Sequence, residues 1–339
     1  MMKQWVVHGS EGSQSLQLEA VPIPEPGDYE ILVKFHAASL NYRDIMIVKG
    51  DYYFPIKPGV VPGSDAAGEI IKSGPKVTRL KPGQRVSPIF HLTNLYGSVR
   101  PGDLAYQLGS AHDGVFREYA VFNEQACVQI PHNLDYREAS ALPCAAVTAW
   151  NALYGGPKQL RPGEAVLTQG TGGVSVFALQ FAKAGGARVI ATTSSPDKAE
   201  KLRAYGADAT INYKEDGDWG TTAKSHSIRS EGVDFVVEIG GAVTMAQSVL
   251  AAKIDGHIAV VGARGGEGKN ATPGGPITAT VRPIMVGSRQ DFELMNSAIE
   301  VNGLKPAVDA KRFGFRDLQK AYDYFQTGQH FGKVIIDFD

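Results

Sequence analysis

Three glycines within four residues, Gly170-Thr171-Gly172-Gly173, separate an apolar run, Ala165 to Gln169, from a segment where Val174, Phe177, Ala178 and Phe181 recur at helical spacing. Glycine at 170 and 172 lets the chain turn tightly and brings backbone amides close to a pyrophosphate. The charge of that group is favoured at the amino end of the following helix. Ser175 stands where a third glycine is usual. A tight strand-to-helix turn alone would account for the glycines, but a second strand, Arg188 to Thr192, completes a strand, turn, helix and strand in one run, and that context favours dinucleotide binding. Where NAD-selective proteins carry an acid for the ribose hydroxyls, the chain reads Thr193-Ser194-Ser195. Lys198, one turn into the next helix, supplies a cation on that side, although a solvated surface lysine reads the same way. The expected cofactor is therefore NADPH rather than NADH.

A chain of 339 residues exceeds what one core usually organises, at about 100 to 200 residues per domain, and implies two domains. Hydrophobic residues make up 43%, charged residues 20%, and the net charge is −1, a soluble globular balance without the basic footprint of a nucleic-acid or membrane-surface binder. No apolar run is long enough to span a bilayer, and the opening MMKQWVVHG lacks the apolar core of a signal peptide, so a cytoplasmic location is expected. Cys127 and Cys144 are the two cysteines, too few for a disulfide framework or a four-cysteine zinc site.

The elements that must position the glycine turn fall into two kinds. Short strands punctuated by glycine and proline come first: Gln4 to Val7, Glu30 to Ala38, Gly68 to Lys72, Arg85 to Pro88 and Phe116 to Val121. From Gly163 onward strands alternate with helices. Strands are expected at Val189 to Thr192, Thr210 to Ile211, Phe235 to Glu238 and His257 to Val261, with a helix from Pro196 to Tyr205 that Ser195 caps and Gly206 ends. The glycine-rich stretch Gly262 to Gly275 reads as a mobile loop, followed by a helix from about Arg289 to Val301. The fold class is α/β: a β-rich domain over 1–146 and 285–339, and a doubly wound parallel sheet over 147–284.

This order resembles the medium-chain dehydrogenase/reductase superfamily, with its GroES-like catalytic domain and inserted Rossmann domain, over nearly the whole chain. The motifs that carry the resemblance are Leu40-Asn41-Tyr42-Arg43-Asp44, Pro62-Gly63-Ser64-Asp65-Ala66-Ala67-Gly68, Lys81-Pro82-Gly83-Gln84-Arg85-Val86, Asp113-Gly114-Val115-Phe116-Arg117-Glu118-Tyr119, Leu142-Pro143-Cys144 with Thr148-Ala149, and the glycine turn. Zinc-dependent members place their catalytic ligands where this chain has Asn41, Ser64, Asp65 and Cys144, which cannot supply about three good protein ligands. No cysteine lies between Arg85 and Gly114, where some members hold a structural zinc. These departures match the zinc-independent, quinone oxidoreductase-like branch. No metal is expected, and Cys144 reads as a small buried residue.

The resemblance also implies site residues. Asn41 lies beside the nicotinamide and substrate carbonyl and donates a hydrogen bond in place of a metal, unless it is simply a loop-capping residue. Tyr52 or Tyr53 in the cleft wall donates to an oxyanion. Arg43 and Asp44 pair to position their loop, Asp65 pairs with a basic residue, and His91 and His112 are expected at the surface. Gly170, Thr171, Gly172, Gly173 and Val174 form the cofactor turn. Thr148, Ile239, Gly240, Val261, Gly262 and Val286 line the dinucleotide, and Thr193, Ser194, Lys198 and Tyr213 surround a 2′-phosphate. Gly332 and Lys333, at the start of a strand Lys333 to Phe338, return to the cofactor phosphates, or else Lys333 is an exposed strand-start lysine.

The implied reaction is NADPH-dependent, metal-free hydride transfer to a small-molecule electrophile, an α,β-unsaturated carbonyl or a quinone, in a homodimer that needs neither nucleic acid nor membrane. Two alternatives stay open: a zinc-free alcohol dehydrogenase or ketone reductase, and an NADPH-binding protein with incidental catalysis, like crystallin or RNA-binding relatives.

Overall fold

A computed structural model describes residues 1–262 and 276–338. Backbone contacts divide the chain into a discontinuous unit, Met1–Val147 with Gly287–Asp339, and a continuous one, Thr148–Val286.

In the discontinuous unit β1 (Met2–Val7) and β2 (Leu16–Val21) form an antiparallel hairpin. A seven-stranded sheet combines β3 (Glu30–Ser39), β4 (Asp65–Ser73), β5 (Arg85–Pro88), β6 (Tyr119–Asn123) and β7 (Cys127–Gln129) with two strands from the far end of the sequence. The continuous unit contributes β8 (Ala165–Gln169), β9 (Arg188–Thr193), β10 (Ala209–Asn212), β11 (Val233–Glu238), β12 (Ala252–Val260) and β13 (Thr280–Pro283). The chain then returns to the first unit through helix Arg289–Val301, β14 (Phe313–Gly314), helix Leu318–Gln326 and β15 (Ile335–Asp337).

The long strand β3 organises the first unit. It pairs antiparallel with β4, β6 and β15, and at its carboxyl end Ser39 faces Asp65 on one side and Ile335 on the other. Its apolar face joins a core with Phe35 and Phe116 fully buried, each worth about 1.5–3 kcal/mol of transfer free energy. The Trp5 indole N–H donates to the Phe315 carbonyl at 2.9 Å, tying the first strand to the returning segment.

Two of the glycine motifs have a packing cause. A Cβ at Gly114 would lie 1.9 Å from the Gly63 carbonyl oxygen, and Gly63 itself takes φ +85° over the Phe116 ring. The strand expected over 116–121 is divided: Phe116 to Glu118 bridge to β1, with the Trp5 amide donating to the Phe116 carbonyl at 2.9 Å and the Glu118 amide to the Lys3 carbonyl at 3.0 Å, and β6 starts at Tyr119.

The continuous unit is a parallel sheet in the order β10-β9-β8-β11-β12-β13. The direction in which successive strands are added reverses at β8, because β9 lies on one side and β11 on the other. Ligands of doubly wound folds bind outside the strand ends at such a point. Ser195 caps helix Pro196–Ala204 by accepting from the Lys198 amide, and Gly206 takes φ +107° beyond it. In the discontinuous unit, the helix expected from about Arg289 to Val301 begins at Arg289 behind the cap Ser288 and ends at Val301. Of the glycine-rich segment 262–275, everything after Gly262 lies outside the described residues.

Candidate active site and cofactor turn

The end of β3 delivers Asn41 to the amino terminus of helix Tyr42–Val48, where its backbone N–H donates to Asp44 at 2.8 Å. The adjacent strands deliver its neighbours: Ser64 and Asp65 at the start of β4, and Lys333 two residues before β15, where the Leu40 amide donates to the Val334 carbonyl at 3.0 Å.

Four side chains close into a ring. The Lys333 ammonium donates to Asn41 Oδ1 at 2.6 Å and to Asp65 Oδ2 at 3.1 Å. Asp65 Oδ1 accepts from the Ser64 hydroxyl at 2.7 Å, and Ser64 Oγ faces Asn41 Nδ2 at 3.4 Å. The Cys144 amide also donates to Asp65 Oδ2, at 3.3 Å. Lys333 is 2% exposed, so it is no exposed strand-start lysine, and it is the basic partner of Asp65. The terminal strand is correspondingly shorter than 333–338, because Lys333 bridges to Val308 instead. Asn41 does occupy a helix-capping position, with its side-chain oxygen turned to the ammonium. Cys144 is partly exposed rather than buried, and desolvation with the neighbouring Asp65 carboxylate pushes its thiol up to about 12.

This donor set does not fit a catalytic zinc. One carboxylate already holds an ammonium ion, and an amide and a hydroxyl complete the ring. Among the described residues no group of three or more histidines, cysteines or acids is gathered as a metal site.

Beside the ring lies a second buried network that the sequence did not reveal. Arg43 Nε donates to the Tyr52 hydroxyl at 3.1 Å and Nη2 to Ser110 at 2.9 Å, while the guanidinium carbon lies 4.8 Å from the centres of both the Tyr52 and Phe90 rings. The Tyr52 hydroxyl in turn donates to Gln107 at 3.2 Å, and Tyr53 is 67% exposed. Arg43 and Asp44 approach to 3.6 Å, yet burial pushes the Asp44 carboxyl up to about 6 against the pull of that guanidinium. His91 is buried, contrary to the expected surface position. Its ring nitrogens find no partner among the described residues, and burial followed by Arg43 pushes it down to about 4. His112 is half-buried, and desolvation lowers it.

In the continuous unit, Gly170 takes φ +74° and its amide donates to Thr192 at 2.8 Å, turning the chain directly off β8. Gly172 caps helix Gly173–Ala184 and has no side chain to offer, so among the described residues the first-turn amides of Gly173 and Val174 carry no side-chain cap. Among the described residues, a Cβ built at Gly170 or Gly172 would meet nothing within 4 Å. Open space over helix amides fits a pyrophosphate. Thr171 is buried beside them, and Ser175 holds the turn by donating to the Gln169 carbonyl at 2.5 Å.

Thr193 ends β9 opposite Asn212 of β10, and the Tyr213 amide donates to its carbonyl at 3.1 Å. Thr193 is buried, Ser194 and Lys198 are half-buried, and Tyr213 is exposed, all around the carboxyl ends of two adjacent parallel strands. Ile239, Gly240, Val261 and Gly262 lie at the ends of β11 and β12, where the Val261 amide donates to Glu238 at 2.9 Å. Thr148 is buried. Val286 takes φ +56°, an unusual conformation for a β-branched residue, and its carbonyl accepts from Asn151 Nδ2 at 2.7 Å. In the other unit, Gly332 takes φ +70° where a Cβ would strike the Ala307 carbonyl.

Glu238 was not singled out by sequence. Buried at the end of β11, it accepts from the Gly240 and Gly241 amides at 2.7 and 2.8 Å, from Gln169 at 2.9 Å, and from the hydroxyls of Thr244 and Ser248. It fastens β11 to the parallel β8 at the point where the strand order reverses. The available signal was an acid at the end of an otherwise apolar strand, Phe235-Val236-Val237-Glu238, followed by Ile239-Gly240-Gly241.

A GroES-like unit carrying a buried polar site, with an inserted doubly wound unit carrying an uncapped glycine turn, defines an oxidoreductase of the nicotinamide-cofactor class. Residues 27–132 match the alcohol dehydrogenase GroES-like domain and residues 173–300 the zinc-binding dehydrogenase family. A zinc-type alcohol dehydrogenase-like protein of Schizosaccharomyces pombe is 43% identical over 100% of both chains. The chloroplastic NADPH-dependent alkenal/one oxidoreductase of Arabidopsis thaliana is 30% identical over 99% of this chain and 79% of its own. A solved NAD-dependent alcohol dehydrogenase is 30% identical, with a TM-score of 0.85 and 99% of each chain covered. The chain belongs to the medium-chain dehydrogenase/reductase family. Among its described residues no helix is long and apolar enough to cross a membrane.

Proposed function

We propose that this oxidoreductase reduces α,β-unsaturated carbonyls or quinones without a catalytic metal, using NADPH. The observation that carries the reading is the side-chain ring at the zinc-ligand positions, where an ammonium, an amide, a hydroxyl and a carboxylate replace a ligand set. Without a Lewis acid, negative charge developing on a substrate oxygen must be met by hydrogen-bond donors, which favours acceptors that take hydride at a conjugated carbon.

When bound, the reduced nicotinamide supplies the hydride. The Asn41 amide N–H donates to the substrate oxygen as it gains charge, and a proton from solvent or a tyrosine completes the reduction. The Gly172–Val174 amides hold the pyrophosphate. Relatives include one named for NADPH and one named for NAD, so the choice of cofactor rests on this chain's own residues. Thr193 and Ser194 present no carboxylate to repel a 2′-phosphate, and Lys198 with Tyr213 stands beside them.

The test follows NADPH and NADH oxidation side by side with an enone, a quinone and a simple ketone. Turnover of the ketone alone overturns the substrate class, and preference for NADH overturns the phosphate site. Lys198→Ala is expected to weaken NADPH binding about tenfold, equivalent to about 1.4 kcal/mol, with little effect on NADH. Equal losses for both nucleotides refute phosphate recognition by this lysine.

A further inference from the structure

We infer that Lys333 is a positioning residue that sets which end of the Asn41 amide is offered to substrate. An ammonium carries three donors and no acceptor, so only the carbonyl end of an amide can face it. At 2.6 Å from Nζ, Asn41 Oδ1 is fixed, and a flipped amide would set NH2 against NH3⁺. Nδ2 is thereby turned away from Lys333. One of its hydrogens points towards Ser64 Oγ at 3.4 Å, a long contact, and the other is left for a substrate oxygen.

The rest of the ring holds this arrangement in one sense. Ser64 spends its hydroxyl hydrogen on Asp65 Oδ1, so its lone pairs face Asn41. Asp65 balances the ammonium, with its other oxygen held by Lys333 and the Cys144 amide. Both charged groups are almost fully enclosed. A cation on Oδ1 also draws electron density from the amide, making its N–H a stronger donor to an oxyanion. Lys333 thus acts through Asn41, 292 residues away in sequence, and touches no reacting atom.

The inference rests on Asn41 as the donor of the proposed reaction, and a double-mutant cycle separates the two ideas. Removing the donor in Asn41→Ala is expected to lower kcat about 100-fold, in line with the loss of one oxyanion donor. Lys333→Met is expected to lower kcat about tenfold while the Kd for NADPH stays within twofold. In the double variant kcat should match Asn41→Ala alone, because a positioning group has nothing left to position.

Asn41→Ala as active as wild type refutes Asn41 as the donor. If Asn41→Ala is impaired and Lys333→Met multiplies that loss by its own full factor, the positioning role is refuted while the donor stands. A raised Kd for NADPH in Lys333→Met with kcat unchanged assigns the lysine to the cofactor instead, and overturns the inference. If Lys333→Met does not fold because Asp65 is left unpaired, the same cycle is run in the charge-balanced Asp65→Asn/Lys333→Met background, judged by the same criteria.

Discussion

Gly172→Ala separates what the fold requires from what a ligand requires. Gly172 has φ −75° and ψ 172°, a conformation open to any L-residue, and a methyl added there meets no atom of the described residues within 4 Å. Among the described residues nothing demands glycine at this position. Replacing glycine at a compatible backbone should stabilise by about 0.4–1 kcal/mol through the unfolded chain. Alanine is the poorer helix cap by about 0.5–1 kcal/mol, and the two effects nearly cancel. The expected change in unfolding midpoint is therefore small.

Binding should respond differently. A methyl over the helix amides pushes a pyrophosphate out of hydrogen-bond range. The loss of two charge-assisted bonds at about 1.5 kcal/mol each amounts to about 3 kcal/mol, or roughly a 100-fold rise in Kd. Because the pyrophosphate is common to both nucleotides, NADPH and NADH should weaken together, unlike the selective loss in Lys198→Ala. Fluorescence titration of each nucleotide, with thermal unfolding alongside, measures both halves. Unchanged affinity for both nucleotides refutes the placement of the pyrophosphate, and a large loss of stability refutes the claim that only the ligand needs the space.

Two further outcomes follow from buried groups in the other unit. Burial raises the Asp44 carboxyl from 3.8 to about 6, so between those values the folded state holds a proton that the unfolded chain releases, and stability falls as pH rises through that window. At 1.36 kcal/mol per unit this amounts to about 3 kcal/mol; urea unfolding of wild type and Asp44→Asn between pH 4 and 7 should show the difference drifting against wild type, and a flat difference contradicts it. Gly114→Ala places a Cβ 1.9 Å from the Gly63 carbonyl, backbone against backbone, and should cost about 3 kcal/mol or more; an unchanged unfolding midpoint rules out that close approach.

The features legible in sequence were those written in local pattern. The glycine turn, the apolar β8 before it, the capped helix Pro196–Ala204 and the helix Arg289–Val301 each carry their own spacing and end signals. The motifs around Gly63 and Gly114 were visible as glycines, but their cause, one backbone pressed on another 51 residues along, appears only in three dimensions. Burial of His91 beside Arg43 and the gathering of five donors on Glu238 depend on which loops and strands become neighbours, and neither periodicity nor composition encodes that. Lys333 shows the limit most clearly. By sequence it is a lysine at the start of a strand, and its enclosure follows from β15 pairing beside the end of β3.

That pairing also sets an order of assembly. The parallel-sheet unit occupies one uninterrupted stretch, 148–286, and can fold as soon as it leaves the ribosome, whereas the unit holding Asn41 stays open until its second segment arrives. At about 5–20 residues per second, the 292 residues from Asn41 to Lys333 take about 15 to 60 s to synthesise. The parallel-sheet unit itself ends at Val286, so only the last 47 of those residues, about 2 to 9 s, separate its completion from Lys333, and in that interval a nascent chain can present a finished glycine turn without an oriented amide. On the proposed reading, a cofactor captured in that interval would meet a ring that still lacks its lysine, so Lys333 is the last of the four ring side chains to be fitted.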